Sequence, residues 1–233
     1  VPFGDAGAVR AAMGPDVAGI LFEPIQGEGG VLPAPPGFVR ELRRIADENG
    51  ALLLADEIQT GVGRTGKFLA VQHEGVEPDA LVLAKGLAGG VPIGAMLCKS
   101  ALEGVLPPGS HGSTFGGNPL ASAAALEVLD VIDEEQIVAN VVARGAELTQ
   151  GLSDLAKRHE GVVATSRGSG LLQALVLRDG VDARGVLERL REAGVLFSLA
   201  GAAGLRFSPA LVVQKAEIAE ALEVVDRVLK GLP

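Results

Sequence analysis

Apolar and polar positions alternate in two different rhythms along this chain. Residues 18–22 form a short apolar run that stops at Glu23-Pro24. After Pro35-Pro36 the rhythm becomes helical, with Phe38, Leu42, Ile45 and Ala46 on one face and Asn49-Gly50 as a stop. Residues 51–55 (ALLLA) are apolar throughout, the pattern of a strand buried on both faces, and end at Asp56-Glu57. A run at 80–84 ends at Lys85, and 93–98 is a third candidate strand. Strand, helix and strand with short connections predict an α/β sheet. Asn118-Pro119 predicts the N-cap and first residue of a helix that runs to about residue 132. From about 134 to 159, Val141, Leu148, Leu152 and Leu155 line a long helix. Strands are expected near 161–166 and 171–177, then a helix capped by Asp182 that stops before Gly194. Short strands at 195–199 and 205–208 follow, and Ile218, Leu222, Val225 and Leu229 mark a last helix. The change in pattern places a domain boundary near 132, so that 1–132 and 133–233 are expected as two domains.

Composition narrows the class. Of 233 residues, 48% are apolar and 21% charged, which supports a sizeable core and argues against global disorder. A formal net charge of −9 opposes a nucleic-acid backbone as partner. The single cysteine, Cys98, excludes an intrachain disulfide and a cysteine-cluster zinc site; lying in an apolar strand, it reads as core. His73, His111 and His159 show no metal-ligand spacing, so no metal is expected. No apolar run approaches the roughly 18 residues that span a bilayer, and no signal-peptide pattern opens the chain. A cytoplasmic setting without a membrane partner is the expectation. The chain opens at Val1 rather than Met, as a processed product or a piece of a longer protein does.

Candidate chemistry gathers where apolar runs end. Ligands of open α/β sheets bind beyond the carboxyl ends of the strands. Three runs here end in charge, at Glu23, Asp56-Glu57 and Lys85. Each alone is an ordinary strand exit to water, but together they point to one polar site. Lys85 precedes Gly86 and Gly89-Gly90, which permit close approach of a ligand. A lysine desolvated in such a pocket can form a Schiff base through its neutral amine. Asp56, at the end of a buried strand, needs a partner such as the pyridinium nitrogen of pyridoxal phosphate, or else serves as a cap or ion pair. The loop His111-Gly112-Ser113-Thr114 offers hydroxyls and amides of the kind that bind phosphate oxygens.

Other signatures are weaker. Gly61-Val62-Gly63-Arg64-Thr65-Gly66 spells a dinucleotide fingerprint and, through Lys67, the frame of a P-loop. Phe68 stands where Ser or Thr should bind magnesium, the acidic strand end precedes the glycines, and no long helix clearly starts at Lys67. No Gly-x-Ser-x-Gly elbow is present.

Five segments in order resemble one family. These are Glu23-Pro24-Ile25-Gln26-Gly27-Glu28-Gly29-Gly30, Asp56-Glu57-Ile58-Gln59-Thr60-Gly61, Gly63-Arg64-Thr65-Gly66, Ala84-Lys85-Gly86, and Gly112-Ser113-Thr114-Phe115-Gly116-Gly117-Asn118-Pro119. Their order and spacing are similar to class III aminotransferases, pyridoxal-phosphate enzymes of fold type I, over nearly the whole chain. The segment HGSTFGGNPLA and Gly204-Leu205-Arg206-Phe207-Ser208-Pro209 are most similar to the subgroup acting on acetylornithine in arginine biosynthesis. The resemblance implies an α/β chain holding part of a large cofactor domain, with a mostly parallel sheet and flanking helices, plus a small α+β C-terminal domain. It implies transfer of the δ-amino group of N2-acetylornithine to 2-oxoglutarate. Lys85 is then the Schiff-base lysine and proton carrier, Asp56 the partner of the pyridine nitrogen, and Gln59 a hydrogen-bonding neighbour of the ring hydroxyl. Ser113 and Thr114 belong to the cofactor set, with Thr114 reaching the phosphate of a neighbouring subunit in a homodimer. Glu28 and Arg206 form a switch pair: Arg206 takes the distal carboxylate of 2-oxoglutarate and Glu28 neutralises it when the amine donor is bound. Glu23 stands behind these.

The chain departs from the family in three respects. It lacks the long front portion that carries a phosphate loop, a ring-stacking aromatic and an α-carboxylate arginine; it has no Tyr or Trp, and its seven Phe match no such motif. Ser198 stands where the subgroup often has Asn. The 233 residues alone are therefore expected to be inactive or nearly so. Ornithine, succinylornithine, 4-aminobutyrate and lysine-pathway donors remain alternatives for the substrate. A non-catalytic dimerisation module and a nucleotide hydrolase remain alternatives for the class.

Overall fold

In chain order the elements are α1 (Ala6–Ala12), β1 (Gly19–Phe22), β2 (Ile25–Gln26), β3 (Leu32–Pro33), α2 (Phe38–Asn49), β4 (Leu52–Asp56), β5 (Ala80–Leu83), β6 (Ala95–Cys98), α3 (Pro119–Glu134), α4 (Ile137–Arg158), β7 (Val163–Ser169), β8 (Leu172–Leu177), α5 (Ala183–Glu192), β9 (Ser198–Ala200), β10 (Gly204–Phe207) and α6 (Lys215–Lys230). The computed structural model describes residues 1–232. They form two units: Val1–Pro24, Ala34–Val62 and Lys67–Gln136 make the first, and Ile25–Pro33, Gly63–Gly66 and the chain from Ile137 onward make the second.

The first unit holds a sheet of order β1-β4-β5-β6, with β1, β4 and β5 parallel and β6 antiparallel. Helix α2 covers one face. Its buried stripe, Phe38, Leu42, Ile45 and Ala46, meets Phe22, Leu53 and Ala55 in one cluster. Gly50 at φ +64 ends α2 and donates its N–H to Ala46, as the Asn49-Gly50 signal predicts. Helix α1, which the hydrophobic rhythm does not announce, starts where Asp5 Oδ1 accepts the Ala8 N–H at 2.8 Å. Asn118 caps α3 in the same way, toward Ala121 at 3.0 Å.

Two expectations fail in this sheet. The run 51–55 is not buried on both faces: Leu53 and Ala55 face α2 and are buried, whereas Leu52 and Leu54 stay partly open. Along the opposite face Leu21 is 71% and Met96 56% exposed. An all-apolar run therefore reports low polarity here, not two-sided burial. Cys98 is exposed rather than core. It lies on β6, an edge strand paired with β5, where Met96 and Leu97 are exposed as well.

The second unit holds an antiparallel sheet of order β7-β8-β10-β9. Val141, Leu148, Leu152 and Leu155 of α4 are buried, as are Ile218, Val225 and Leu229 of α6. Asp182 stands at the N-cap of α5, but its side chain makes no capping hydrogen bond. Buried Gln173 on β8 donates to the Gly145 carbonyl, Thr149 Oγ1 and the Gly170 carbonyl, tying α4 to the β7–β8 turn. A Cβ at Gly145 would stand 2.7 Å from Gly170 Cα, so glycine is needed for that approach. The short strands β2 and β3 form a ribbon whose Ile25 and Val31 pack with Leu172, Ala174 and Ala200.

Candidate active site

Parallel pairing arranges the candidate residues of the first unit. Phe22 pairs with Ala55 and Asp56 with Val82, so Glu23, Asp56 and Lys85 leave the sheet at the same, carboxyl edge. Asp56 is half-buried, and its Oδ1 accepts the Ile58 N–H at 2.9 Å. Among the described residues its Oδ2 has no hydrogen-bond partner. Gln59, three residues after Asp56, is half-buried. Lys85 opens a single 3-10 turn in a left-handed conformation, φ +49. It is exposed, so the described residues do not supply the desolvated pocket expected from its sequence context. No hydrogen bond or ion pair engages its amine among the described residues. Ser113 and Thr114 lie on an exposed loop, where Ser113 Oγ accepts the Gly116 N–H at 2.9 Å.

The neighbour of Asp56 behaves differently. Glu57 is fully buried and accepts from the Thr60 hydroxyl, the Ala70 N–H at 3.0 Å and the Val71 N–H at 2.9 Å. Burial pushes its carboxyl up, and these three donors oppose the shift. Glu57 thus pins the loop after β4 while Asp56 stays accessible. A sequence reading that treats Asp56-Glu57 as one polar strand exit misses this division. The apolar run Leu69-Ala70-Val71 after the glycines was the available signal.

The second unit carries candidate residues of its own. Arg206 on β10 donates Nε to Ser198 Oγ of β9 at 3.0 Å and Nη1 to Glu28 Oε1 at 2.6 Å. The pair is lopsided: the Arg206 side chain is 15% exposed and that of Glu28 69%. A half-open cleft of about 350 Å³ borders Arg206 and Ser198 and is lined by Phe197, Phe207, Pro209 and Leu148. Such a site offers one firm cation against an apolar wall, with a counter-ion that water can reach.

The glycine-rich 61–66 stretch is neither a nucleotide loop nor a helix start. Residues 63–66 belong to the second unit, where Leu171 N–H donates to the Arg64 carbonyl at 3.0 Å. Arg64 Nη1 donates to the Leu171 and Pro209 carbonyls at 3.1 and 2.5 Å. Burial lowers the Arg64 guanidinium to about 10, and no carboxylate faces it among the described residues. Among the described residues no cluster of metal-ligating side chains occurs, and no helix is long and apolar enough to cross a membrane.

The fold is α/β, with one mixed and mainly parallel sheet in the first unit, an antiparallel one in the second, and a lysine and a carboxylate at the carboxyl edge of the parallel strands. By residues 5–229 the chain belongs to the class-III aminotransferases. It is 47% identical over its whole length to acetylornithine aminotransferase of Gloeobacter violaceus, of which it spans 58%. Among solved structures it matches acetylornithine aminotransferase from Elizabethkingia anophelis with a TM-score of 0.93 at 33% identity, covering 100% of this chain and 59% of that one. Ornithine aminotransferase from Toxoplasma gondii, described with partial occupancy of PLP at its active site, matches with a TM-score of 0.94 at 38% identity over 98% of this chain and 55% of that one. The chain thus spans a little over half the length of these relatives.

Proposed function

We propose that this chain is the cofactor- and acceptor-handling part of an aminotransferase that moves the δ-amino group of N2-acetylornithine to 2-oxoglutarate. The ion pair between half-buried Arg206 and exposed Glu28 carries the reading. A fixed guanidinium with a displaceable counter-ion suits an enzyme that must take a dicarboxylate in one half-reaction and a donor without that carboxylate in the other. The first unit is assigned to the large cofactor-binding domain and the second to the small domain.

The donor set at the sheet edge fits pyridoxal phosphate. Asp56 presents an oxygen unpartnered among the described residues, and Lys85 an amine likewise unengaged. When bound, the cofactor supplies the electron sink for moving an amino group between carbons. Lys85 would hold it through its ε-amine and carry the proton at the reacting carbon. Asp56 would face the protonated ring nitrogen, Gln59 the ring hydroxyl, and Ser113 and Thr114 the phosphate. Thr114 sits in a segment where Val105, Leu106 and Phe115 are 65%, 50% and 81% exposed, which supports a homodimer sharing the site across two copies.

Borohydride reduction after incubation with pyridoxal phosphate tests the assignment in the protein as its gene encodes it. Dominant labelling of Lys85 over the other five lysines is expected. Labelling spread over the others refutes it. Rates with acetylornithine, ornithine and 4-aminobutyrate test the donor, and a clear preference for either of the latter two refutes the acetylornithine assignment.

A further inference from the structure

Glu28 is anchored by its backbone while its side chain, paired with Arg206, stays largely exposed. It sits at the tip of the β2–β3 ribbon, residues 27–31, and three contacts fix that tip. The Val31 N–H donates to the Gly27 carbonyl at 3.2 Å, and the Gly201 N–H donates to the Glu28 carbonyl at 2.9 Å. Arg167 of β7 grips the Gly30 carbonyl with Nε at 3.0 Å and Nη2 at 2.7 Å. Gly30 at φ +122 is part of this fit: a Cβ there would stand 2.7 Å from Arg167 Nη2. Val31 is fully buried at φ +52, a left-handed conformation that a β-branched residue keeps only where its surroundings impose it.

Arg167 itself is half-buried, and among the described residues Gly30 O is its sole hydrogen-bond acceptor and no carboxylate pairs with it. A partly desolvated cation committed to one neutral carbonyl is a costly way to hold a loop. It is intelligible if the carbonyl it holds belongs to a loop that must not drift. The β7–β8 turn, at the end of the strand that carries Arg167, seats the 63–66 segment. The Leu171 N–H bonds Arg64, and a Cβ at Gly170 would meet the Thr65 backbone at 2.6 Å.

We propose that Arg167 is a positioning residue that fixes the Glu28 loop and so sets the balance between amine donor and dicarboxylate at Arg206. This rests on the function proposed above. With the loop fixed, Glu28 returns to Arg206 whenever a ligand carboxylate leaves. With the loop loose, Arg206 is left poorly neutralised beside a donor that brings no carboxylate there.

Two readouts on Arg167→Gln and Arg167→Lys test it in the protein as its gene encodes it. The first is hydrogen exchange at Val31 and Gly201 with no cofactor added. Roughly tenfold faster exchange is expected in Arg167→Gln, the equivalent of one charge-assisted hydrogen bond. Partial recovery is expected in Arg167→Lys, and no change at Glu57 in the first unit. Unchanged exchange at Val31 and Gly201 overturns the proposal. The second is the two half-reactions measured separately. A several-fold higher KM for the amine donor is expected in Arg167→Gln, with the KM for 2-oxoglutarate unchanged or lower. A parallel loss in both half-reactions overturns the positioning role and leaves Arg167 a stabilising residue. Glu28→Gln separates the two readings. If exchange quickens in Arg167→Gln, but neither variant changes donor KM, the grip on the loop stands and the switch function of Glu28 and Arg206 falls.

Discussion

Replacing Asp79 with Asn tests the electrostatic hinge of the first unit. Asp79 Oδ2 accepts the Leu53 N–H at 2.8 Å and Arg43 Nη1 at 2.7 Å, and Oδ1 accepts Lys99 Nζ at 3.1 Å. One side chain therefore joins α2, β4 and the residue after β6, directly before the strand that leads to Lys85. Burial raises the Asp79 carboxyl, but the Leu53 N–H, Arg43 and Lys99 outweigh it and lower it from 3.8 to about 2. At about 1.4 kcal/mol per pKa unit, that shift corresponds to about 2 kcal/mol of native-state stability at neutral pH. The side chain is only 16% exposed, but Lys99 is 38% exposed. Screening at that end brings the expectation to about 1–2 kcal/mol. Asn is nearly isosteric and can still accept the Leu53 N–H, so the variant isolates charge. Because the folded pKa is depressed, the contribution is complete above the unfolded value near 4 and is lost as pH falls toward 2. The two units need not unfold together, so the assay is hydrogen exchange at the β4 amides under denaturant. Equal protection of wild type and D79N at pH 7 refutes the reasoning, as does a deficit that persists undiminished at pH 2.

Two further substitutions test packing and the acceptor site. Gly145→Ala lies inside α4, where propensity alone favours Ala by about 1 kcal/mol. Here the new Cβ meets Gly170 backbone at 2.7 Å, so a loss of about 1–3 kcal/mol is expected in urea melts, and a gain refutes the close-approach role. Glu28→Gln removes an ion pair whose acid is 69% exposed, so stability should change by less than about 1 kcal/mol. The KM for 2-oxoglutarate should fall or stay level while donor KM rises, and a rise confined to 2-oxoglutarate refutes the switch.

Much of the fold was legible because its signals are local. Phe38, Leu42 and Ile45 repeat within one helix, Gly50 stops it by its own φ, and Asn118 caps α3 three residues away. The candidate residues at strand ends were legible for the same reason: apolar runs that stop at Asp56 and Lys85 become neighbouring strand ends once the strands pair in parallel. Burial was less legible. The identical-looking leucines of residues 52–54 divide between a helix-covered face and an open one, and Cys98 turns outward on an edge. Which face is covered depends on elements distant in sequence.

By itself, the sequence determined most of the strands and helices in their order, the acidic charge, the lack of an intrachain disulfide within these residues and the motif set shared with class-III aminotransferases. Tertiary structure decided where two short stretches of the first half reside. Residues 25–33 and 63–66 join the second unit, which places Glu28 on Arg206 across 178 positions and Arg167 on Gly30 across 137. It also decided that Glu57 turns inward while adjacent Asp56 stays reachable. The reason is the range of the forces involved. Periodicity and capping act within a few residues and leave a mark on neighbouring letters. A guanidinium finds its carbonyl or carboxylate only after the sheet has brought remote backbone within hydrogen-bond reach.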